Sequence, residues 1–489
     1  MRSFASTSVV ALVILAGCGD DGQTVSDAGN PDAATKDVVL AAWGHPCDDT
    51  LESVYEAATP PSPWTAADRG TIVRCAYDRR VTIEEMQAKL AGADEGTIPD
   101  PGFSTAIHKV RISYWTERNA GEPQLTSGVM YIPETMRADP APLVVVGHGS
   151  VGIADICAPS MEHADGFDKD WTALIYTFAG DGWLTVMPDF PGLGTPGIAA
   201  WMYSVDEGHS MLDATRAVRN LDGPVSDKNA LVGHSLGGHA ALSAQSYAAT
   251  YGAEGSIETV LLMNPFWLTN AAWGALASPG GDSLIDPVFM QLTLSYFYGH
   301  LAVYEGESAA GDAFLPAKKD DIINMLENNC WRNLTSDEHG PPSLGLTFGA
   351  DAFSKTYTTE VGACGFFDSQ CTTKLQLEWR SRWAADRPTL DPNIPIVHFT
   401  ADSDAFLSPG FQKCGIDRID AQTTNASFCV TAGADHSNIV TIDADWFRQH
   451  LANVLLGETA PAACTGTDVL PKPFQCDLPI TNLTDPDTP

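Results

Sequence analysis

Asn229-Ala230-Leu231-Val232-Gly233-His234-Ser235-Leu236-Gly237-Gly238-His239, near the middle of this 489-residue chain, is the stretch that best indicates its fold. An apolar run ends abruptly in the pattern G-x-S-x-G at 233–237, and a helix-forming segment follows at 240–250. A strand, a sharp turn and a helix in this order are typical of a nucleophile elbow, whose central serine occupies a strained turn. Glycines two residues before and after that serine let strand and helix pack closely. The pattern predicts that Ser235 is a nucleophile; the alternative is a glycine-rich turn with an incidental serine.

Apolar runs occur at regular intervals on both sides of this stretch. An alternating pair at 108–115 and 127–133 predicts an antiparallel hairpin with one face in solvent. Continuously apolar runs, typical of parallel strands buried on both faces, occupy 143–146, 183–187, 231–232, 259–263, 394–399 and 427–430. Because helix-like segments intervene, the chain predicts an α/β fold with a mostly parallel sheet of roughly eight strands, flanking helices and a ligand site at the strand carboxyl ends.

Two segments depart from this alternation. Residues 46–100 are predicted to form a helical extension, in which Thr82 and Glu85 have the spacing of a capping box. Residues 267–389 contain helix-like and aromatic pieces, which predict a mostly helical cap inserted after the sixth predicted strand. The aromatic side chains of this cap either line an acyl pocket or form the core of the cap itself. The remaining core is predicted at 46–266 and 390–458.

The amino terminus has the features of an export signal. Met1-Arg2 precedes an apolar region at 9–14, which is too short to span a bilayer, and Leu15-Ala16-Gly17-Cys18 follows. The last four residues resemble the lipobox of bacterial lipoproteins, which implies a signal peptide at 1–18 and membrane anchoring through lipidated Cys18, at the outer membrane or cell surface. Ordinary signal cleavage with secretion is the alternative. Residues 19–45 are predicted to be a disordered acidic tether.

Composition agrees with export. There are 62 acidic and 27 basic residues, and a net charge of -35 repels phosphate backbones, so no nucleic-acid partner is predicted. Apart from Cys18 the cysteines form an even set, which in an oxidising compartment indicates disulfides. The expected pairs, which the sequence does not determine uniquely, are Cys47–Cys75, Cys157–Cys330, Cys364–Cys371, Cys414–Cys429 and, in a carboxyl-terminal tail at 459–489, Cys464–Cys476.

A serine nucleophile needs a base and an orienting acid, which in this fold follow it in the order Ser, Asp or Glu, His. His436 follows the last predicted strand and is the predicted base. Asp402 and Asp404 both follow the penultimate strand. The segment from Pro395 resembles a pattern of many α/β-hydrolases, Pro followed by Gly-x-x-Asp-x-apolar-apolar-Pro, which favours Asp404 and leaves Asp402 as the alternative. The two aspartates lack the further ligands of a calcium loop, and no metal or other cofactor is predicted.

Two backbone N–H groups are predicted to form an oxyanion hole. One belongs to Leu236, directly after the nucleophile. The other belongs to Ser150, in the loop after the third predicted strand, where Gly147-His148-Gly149 keeps the backbone free of bulk.

Three motifs resemble the secretory lipase family. The segment Gly147-His148-Gly149-Ser150-Val151-Gly152-Ile153-Ala154-Asp155-Ile156-Cys157-Ala158-Pro159-Ser160 runs from a His-Gly loop into Cys-Ala-Pro-Ser, and 188–197 and 233–238 fit the family too. The resemblance covers about 105–455. It implies an α/β-hydrolase fold with a helical cap over an acyl pocket, and activity on carboxylic esters including glycerides.

The combined prediction is a serine hydrolase, a lipase or esterase, in which Ser235, Asp404 and His436 cleave small-molecule or lipid esters through an acyl-enzyme. A serine peptidase of the same fold is one alternative, although no propeller-blade repeat and no clear acidic pair for a substrate amine is evident. A non-catalytic surface-binding lipoprotein is the other, although a structural role does not require these three residues in this order. The oligomeric state is not predicted.

Overall fold

A central sheet of nine strands organises the residues that the computed structural model describes, which are residue 36 and residues 39–91, 102–161, 169–266, 286–362 and 371–470. The strands are β1 Ile72–Val81, β2 Ile107–Glu117, β3 Pro123–Pro133, β4 Ala141–Gly147, β5 Leu184–Pro188, β6 Val225–His234, β7 Ser256–Met263, β8 Ile396–Ala401 and β9 Ala426–Thr431. Their order is β1-β2-β3-β5-β4-β6-β7-β8-β9. Along this spatial order, the pairs β1–β2, β2–β3 and β3–β5 are antiparallel. The pairs from β5–β4 to β8–β9 are parallel. The predicted mostly parallel α/β sheet is confirmed.

The strand that the sequence did not predict is β1, which lies inside the expected helical extension at 46–100, so that part of the prediction is wrong. It pairs antiparallel with β2 at the edge of the sheet. Charged side chains, which edge strands commonly carry, obscure its apolar alternation; Asp78, for example, accepts from Arg111 of β2 at 2.9 Å. The capping box in the same segment is present, since Thr82 N–H donates to the Glu85 carboxylate at 2.6 Å and Glu85 N–H donates to the Thr82 hydroxyl at 3.1 Å.

Helices cover both faces of the sheet. The longer ones are α1 Ile83–Ala91, α2 Lys169–Ala179, α3 Ser204–Arg219, α4 Leu236–Tyr247, α5 Pro287–Glu305, α6 Lys319–Asn328, α7 Lys374–Ala385, α8 Pro409–Gln422 and α9 Ala444–Leu456. Helices α3, α4 and α8 bury Leu212, Leu242 and Ile419 in a core on one face. Helices α1 and α9 contribute Met86 and Phe447 to the core on the other face. Since both faces are covered, the carboxyl edge of the parallel strands is where a ligand site is expected.

The helical insertion lies between β7 and β8 and includes α5, α6 and α7. It follows the seventh strand rather than the sixth because β1 was not predicted. Two contacts hold it to the loop after β4. The backbone N–H of Trp331 donates to the carbonyl oxygen of Val151 at 2.8 Å. The disulfide Cys157–Cys330 lies beside this hydrogen bond.

Disulfides within the described residues correct part of the predicted pairing. Cys47–Cys75 and Cys157–Cys330 are confirmed. Cys429 is bonded to Cys464, so the expected pairs Cys414–Cys429 and Cys464–Cys476 are wrong. The tail returns alongside β9, where Val430 N–H donates to the carbonyl oxygen of Thr465 at 2.8 Å, and this return is not evident from spacing along the chain. Cys371 and Cys414 are also disulfide-bonded, and Cys364 and Cys476 lie outside the described residues.

Residues 39–45 belong to the folded domain, so the predicted end of the tether at residue 45 is too far along the chain. Leu40 and Trp43 are buried in a core, and Gly44 N–H donates to the carbonyl oxygen of Leu221 at 2.9 Å. The predicted signal peptide and Cys18 lie outside the described residues. In the described part of the chain, no helix combines the length and the apolar character that crossing a bilayer requires.

Candidate active site

Ser235 lies in the sharp turn between β6 and α4, with backbone φ 55° and ψ -121°. Such values are unfavourable for a residue with a side chain and cluster at functional sites. The glycines of the elbow are required by close contacts. A Cβ on Gly233 would lie 2.0 Å from the carbonyl oxygen of Gly237, and a Cβ on Gly237 would lie 1.9 Å from that of Gly147. The geometry is that of a nucleophile elbow, as the pattern predicts.

Three loops at the strand carboxyl ends bring Ser235, Asp404 and His436 together; they follow β6, β8 and β9 respectively. Nε2 of His436 lies 3.1 Å from Oγ of Ser235, and Nδ1 of the same ring lies 2.7 Å from Oδ2 of Asp404. Because an ionised carboxylate only accepts, Nδ1 carries the proton of the neutral imidazole and the Nε2 lone pair faces the serine hydroxyl. This arrangement can take a proton from the serine oxygen.

The carboxylate of Asp404 is buried and fully engaged. Its Oδ1 accepts from the backbone N–H groups of Phe406 at 2.7 Å and Leu407 at 2.8 Å, and Oδ2 accepts from the side-chain amide of Asn264. Burial pushes the pKa of Asp404 upward, but the hydrogen bonds and charge of its neighbours, led by His436, outweigh it and hold the pKa below its usual value. The acid therefore stays ionised at neutral pH.

Asn264, which the sequence analysis did not identify, follows β7 and has a positive φ of 39°. Its side chain bridges two strand ends, because Nδ2 donates to Asp404 while Oδ1 accepts from the N–H of Ala401 at 2.8 Å. The signal that was available is an asparagine directly after a buried strand, a residue type that tolerates the left-handed region.

Asp402, the alternative acid, is exposed and turned away from the imidazole. Its Oδ1 accepts from the N–H of Gly433 at 2.8 Å and from the hydroxyl of Ser403 at 3.0 Å. The structure thus brings Asp404 to His436 and leaves Asp402 in a turn contact between neighbouring loops.

His234, to which the sequence assigned no role, lies directly behind His436. Its Nε2–H donates to the backbone carbonyl of His436 at 2.7 Å, and the two ring centroids are 4.8 Å apart. Burial, together with the nearby His436, lowers the pKa of His234 to about 3. A neutral ring in this position supports the backbone of His436 without opposing a positive charge on its imidazole.

The loop after β4 lies against the elbow. A Cβ on Gly149 would lie 3.9 Å from Cβ of Ser235, which is an ordinary van der Waals distance, so the backbone of this loop runs directly beside the nucleophile. The side chain of Ser150 accepts from the indole N–H of Trp201 at 2.9 Å, which holds the loop in place. Leu236 begins α4, where backbone N–H groups are free of helical partners. The oxyanion-hole roles of Ser150 and Leu236 stay predictions.

A small cavity of about 20 Å³ borders this loop, and its walls include His148, Ile153, Phe190, Trp201 and Leu236. A larger groove of about 580 Å³ is lined by Arg137, Asp181 and Arg448. Asp181 precedes β5, so this groove opens at the opposite edge of the sheet. Its arginine and carboxylate side chains pair with each other, as in the 2.6 Å contact between Arg137 and Asp181.

The buried His239 links the elbow helix α4 to α3 through an ion pair and to the end of the insertion through a hydrogen bond. Nδ1 of His239 on α4 lies 2.6 Å from the carboxylate of Glu207, and its Nε2 donates to the carbonyl oxygen of Asp386 at 2.6 Å. Burial disfavours the charged ring, but Glu207 leads the interactions that raise the pKa of His239 above its usual value. Both ring nitrogens face oxygen atoms, an arrangement in which an imidazolium donates two hydrogen bonds. The hydrogen bond to Asp386 couples the insertion to the helix that begins at the nucleophile.

Metal-ligating side chains converge at one place in the described part of the chain, where His45 approaches Cys47 and Cys75. The two cysteines are bonded to each other, so neither offers the thiolate that a metal requires.

Solved structures that share this fold include esterases and lipases. The rice cell wall degrading esterase LipA from Xanthomonas oryzae is 19% identical, with a TM-score of 0.60, over 80% of this chain and 100% of its own. A putative hydrolase from Legionella pneumophila is 16% identical, with a TM-score of 0.61, over 78% and 98%. Candida antarctica lipase A in its closed state is 17% identical, with a TM-score of 0.57, over 83% and 86%.

No protein-family model and no curated protein matches the chain. At identities below 20% the structural likeness establishes architecture rather than activity. The chain has the α/β-hydrolase fold that these lipases and esterases share.

Proposed function

We propose that this protein is a serine hydrolase that cleaves carboxylic esters. The observation that carries the proposal is the hydrogen-bonded series from Ser235 to His436 to Asp404, with 3.1 Å and 2.7 Å between the interacting atoms, at a strained elbow. A purely structural role does not require a buried carboxylate, an imidazole and a serine hydroxyl in series.

The first half of the reaction acylates the enzyme. The Ser235 oxygen attacks the ester carbonyl carbon while its proton moves to Nε2 of His436. Asp404 stabilises the resulting imidazolium, and the N–H groups of Leu236 and Ser150 donate to the oxyanion. The intermediate collapses, the bond to the alcohol oxygen breaks, and that oxygen takes the proton from Nε2.

The second half releases the acid. His436 takes a proton from water, whose oxygen attacks the acyl carbon, and the bond to the Ser235 oxygen breaks as Nε2 returns the proton to it. All proton transfers use groups of the chain and water, and no cofactor takes part.

Support for an ester substrate comes from the names of the structural neighbours, which include an esterase and a lipase. The motifs at 147–160, 188–197 and 233–238 support membership of the secretory lipase family. Hydrolysis of peptides uses the same three residue types, so the substrate class requires a direct test.

We further propose that the protein is exported and anchored as a lipoprotein through Cys18. The lipobox-like Leu15-Ala16-Gly17-Cys18 supports lipidation. Disulfides such as Cys47–Cys75 and Cys429–Cys464 support an oxidising compartment. A helical cap at 267–389 and a tail at 459–489 complete the proposed domain organisation.

The substrate class can be tested with paired chromogenic substrates. We expect the purified protein to hydrolyse p-nitrophenyl acetate and butyrate but not the corresponding p-nitroanilides or peptide anilides, and a fluorophosphonate to label Ser235. Cleavage of peptide anilides at a higher kcat/KM than esters would identify a peptidase. Failure of both substrate classes and of labelling would leave only the non-catalytic function.

His234 provides a second test, of how the proposed base is positioned. His234→Phe keeps a ring beside His436 but removes the N–H donor to its carbonyl, and an unsatisfied buried acceptor costs about 1–3 kcal/mol. We expect kcat for p-nitrophenyl acetate to fall about tenfold to a hundredfold with little change in KM, because each 1.36 kcal/mol is about a tenfold rate change. His234→Gln, which retains a donor, should lose less activity. A lower Tm with unchanged kcat in both variants would assign His234 a structural role.

A further inference from the structure

A half-buried aromatic side chain packs on the proposed base. The ring of Phe406 meets the imidazole of His436 edge-to-face, with centroids 5.1 Å apart and an interplanar angle of 70°. Its position is defined because Phe406 N–H donates to Asp404 at 2.7 Å. Phe406 thus forms part of the immediate surroundings of the imidazole, whereas Nε2 faces Ser235.

Two aromatic side chains from the insertion extend this surface outward. Phe289 of α5 stacks on Phe406, with centroids 5.5 Å apart and an interplanar angle of 25°. Trp331 meets Phe406 edge-on at 6.1 Å and 82°. We call Phe289, Trp331 and Phe406 the aromatic rim. It runs from the imidazole to the protein surface, where Phe289 retains 39% of its accessible area.

The chemistry of ester cleavage indicates which part of the substrate lies beside the aromatic rim. The leaving alcohol oxygen must take its proton from Nε2 of His436, so the group attached to that oxygen departs past the imidazole. The carbonyl oxygen instead faces the loop of Ser150 and the start of α4. Phe406 packs on the imidazole, so we expect it beside the alcohol part of the substrate, and we expect the small cavity beside Leu236 to take the acyl part.

We propose that the aromatic rim selects esters whose alcohol part carries an aromatic ring. A flat ring inserted beside Phe289 and Phe406 covers the exposed face of Phe289 and adds an offset-stacked or edge-to-face contact, which is favourable beyond the area that it buries. The inference rests on the proposed ester hydrolysis and deepens it. Both rim residues from the insertion have no part in the proton transfers.

The test compares three acetates that differ only in the alcohol: benzyl, cyclohexylmethyl and ethyl. We expect the purified protein to prefer benzyl acetate over ethyl acetate about tenfold in kcat/KM, and over cyclohexylmethyl acetate severalfold. Phe289→Ala and Trp331→Leu should each lower the benzyl-to-ethyl ratio of kcat/KM. Phe289→Ala should remove most of the preference for benzyl acetate. Val469→Ala, which also truncates an exposed apolar side chain, is the matched control and should leave the ratio unchanged.

The outcomes separate the inference from the function on which it rests. An unchanged ratio in Phe289→Ala, or equal preference for benzyl and cyclohexylmethyl acetate, overturns the aromatic selection while ester hydrolysis stands. If Phe289→Ala lowers only the hydrolysis of emulsified triglycerides, the aromatic selection is also overturned, because Phe289 then contacts a lipid surface rather than the bound alcohol. Absence of hydrolysis of all three acetates overturns the proposed function together with the inference.

Discussion

Ser235→Ala should lower kcat for p-nitrophenyl acetate by about 10⁶-fold, the scale of loss that follows removal of a serine nucleophile. The Oγ atom is the only part of the side chain that the substitution removes, and it lies 3.1 Å from Nε2 of His436. No neighbouring hydroxyl replaces it in the described contacts of that nitrogen. Because the backbone keeps its contacts, including Ser235 N–H to the carbonyl of Met263 at 3.1 Å, the fold should be preserved.

The matched control is Ser403→Ala, which removes a hydroxyl that donates to exposed Asp402 at 3.0 Å. Circular dichroism melts of both variants should show wild-type unfolding, and fluorophosphonate labelling should disappear only in Ser235→Ala. Residual ester hydrolysis above one part in a thousand in Ser235→Ala would assign the nucleophile to another residue. Equal loss in both variants would indicate damage to the loops rather than loss of a reacting atom.

The elbow could be predicted because its constraints are local. A serine with φ 55° between a buried strand and a helix requires glycines at Gly233 and Gly237, and that requirement is visible in five consecutive residues. The choice of Asp404 over Asp402 depended on a family-like pattern, and Asp404 lies 2.7 Å from Nδ1 of His436. Local rules thus predict the residues that the turn geometry dictates.

Several features that depend on distant contacts were not predicted. The strand β1 is stabilised by pairing with β2, and this pairing does not appear as periodicity. The hairpin β2–β3 was expected to have a face in solvent, yet Lys109, Ser113 and Thr116 are buried. Helix α3 and the turn at Ser53–Tyr55 pack against β2, so side-chain polarity misrepresents burial there.

The supporting contacts of the candidate site belong to the same category. Asn264 and His234 act through Asp404 and through the backbone of His436, and these contacts span 140 and 202 positions of the chain. An isolated asparagine or histidine in a sequence carries no indication of such a partner. The hydrogen bond from His239 to the carbonyl oxygen of Asp386 at the end of the insertion is equally invisible to local analysis.

Asp404→Asn should lower kcat by about 10⁴-fold, because loss of the acid leaves the base in the wrong tautomer. Phe406 N–H and Leu407 N–H donate to Oδ1, and the amide of Asn264 donates to Oδ2. With these donors on both oxygens, an asparagine at this position must turn its own NH₂ toward a donor or toward His436. If it faces the imidazole, Nδ1 becomes the acceptor and Nε2 carries the proton, so the ring cannot take a proton from Ser235.

Asp402→Asn provides the matched control for this substitution. Its Oδ1 accepts from Gly433 N–H at 2.8 Å, an interaction that an asparagine oxygen retains, and the side chain is exposed, so kcat should change by less than about twofold. Equal and large losses in the two variants would contradict the assignment of the acid to Asp404. A large loss in Asp402→Asn alone would transfer the role to Asp402 and require the loop after β8 to rearrange on substrate binding. The two carboxylates differ by two positions in sequence, but only the one that is buried among four donors can hold an imidazolium in place.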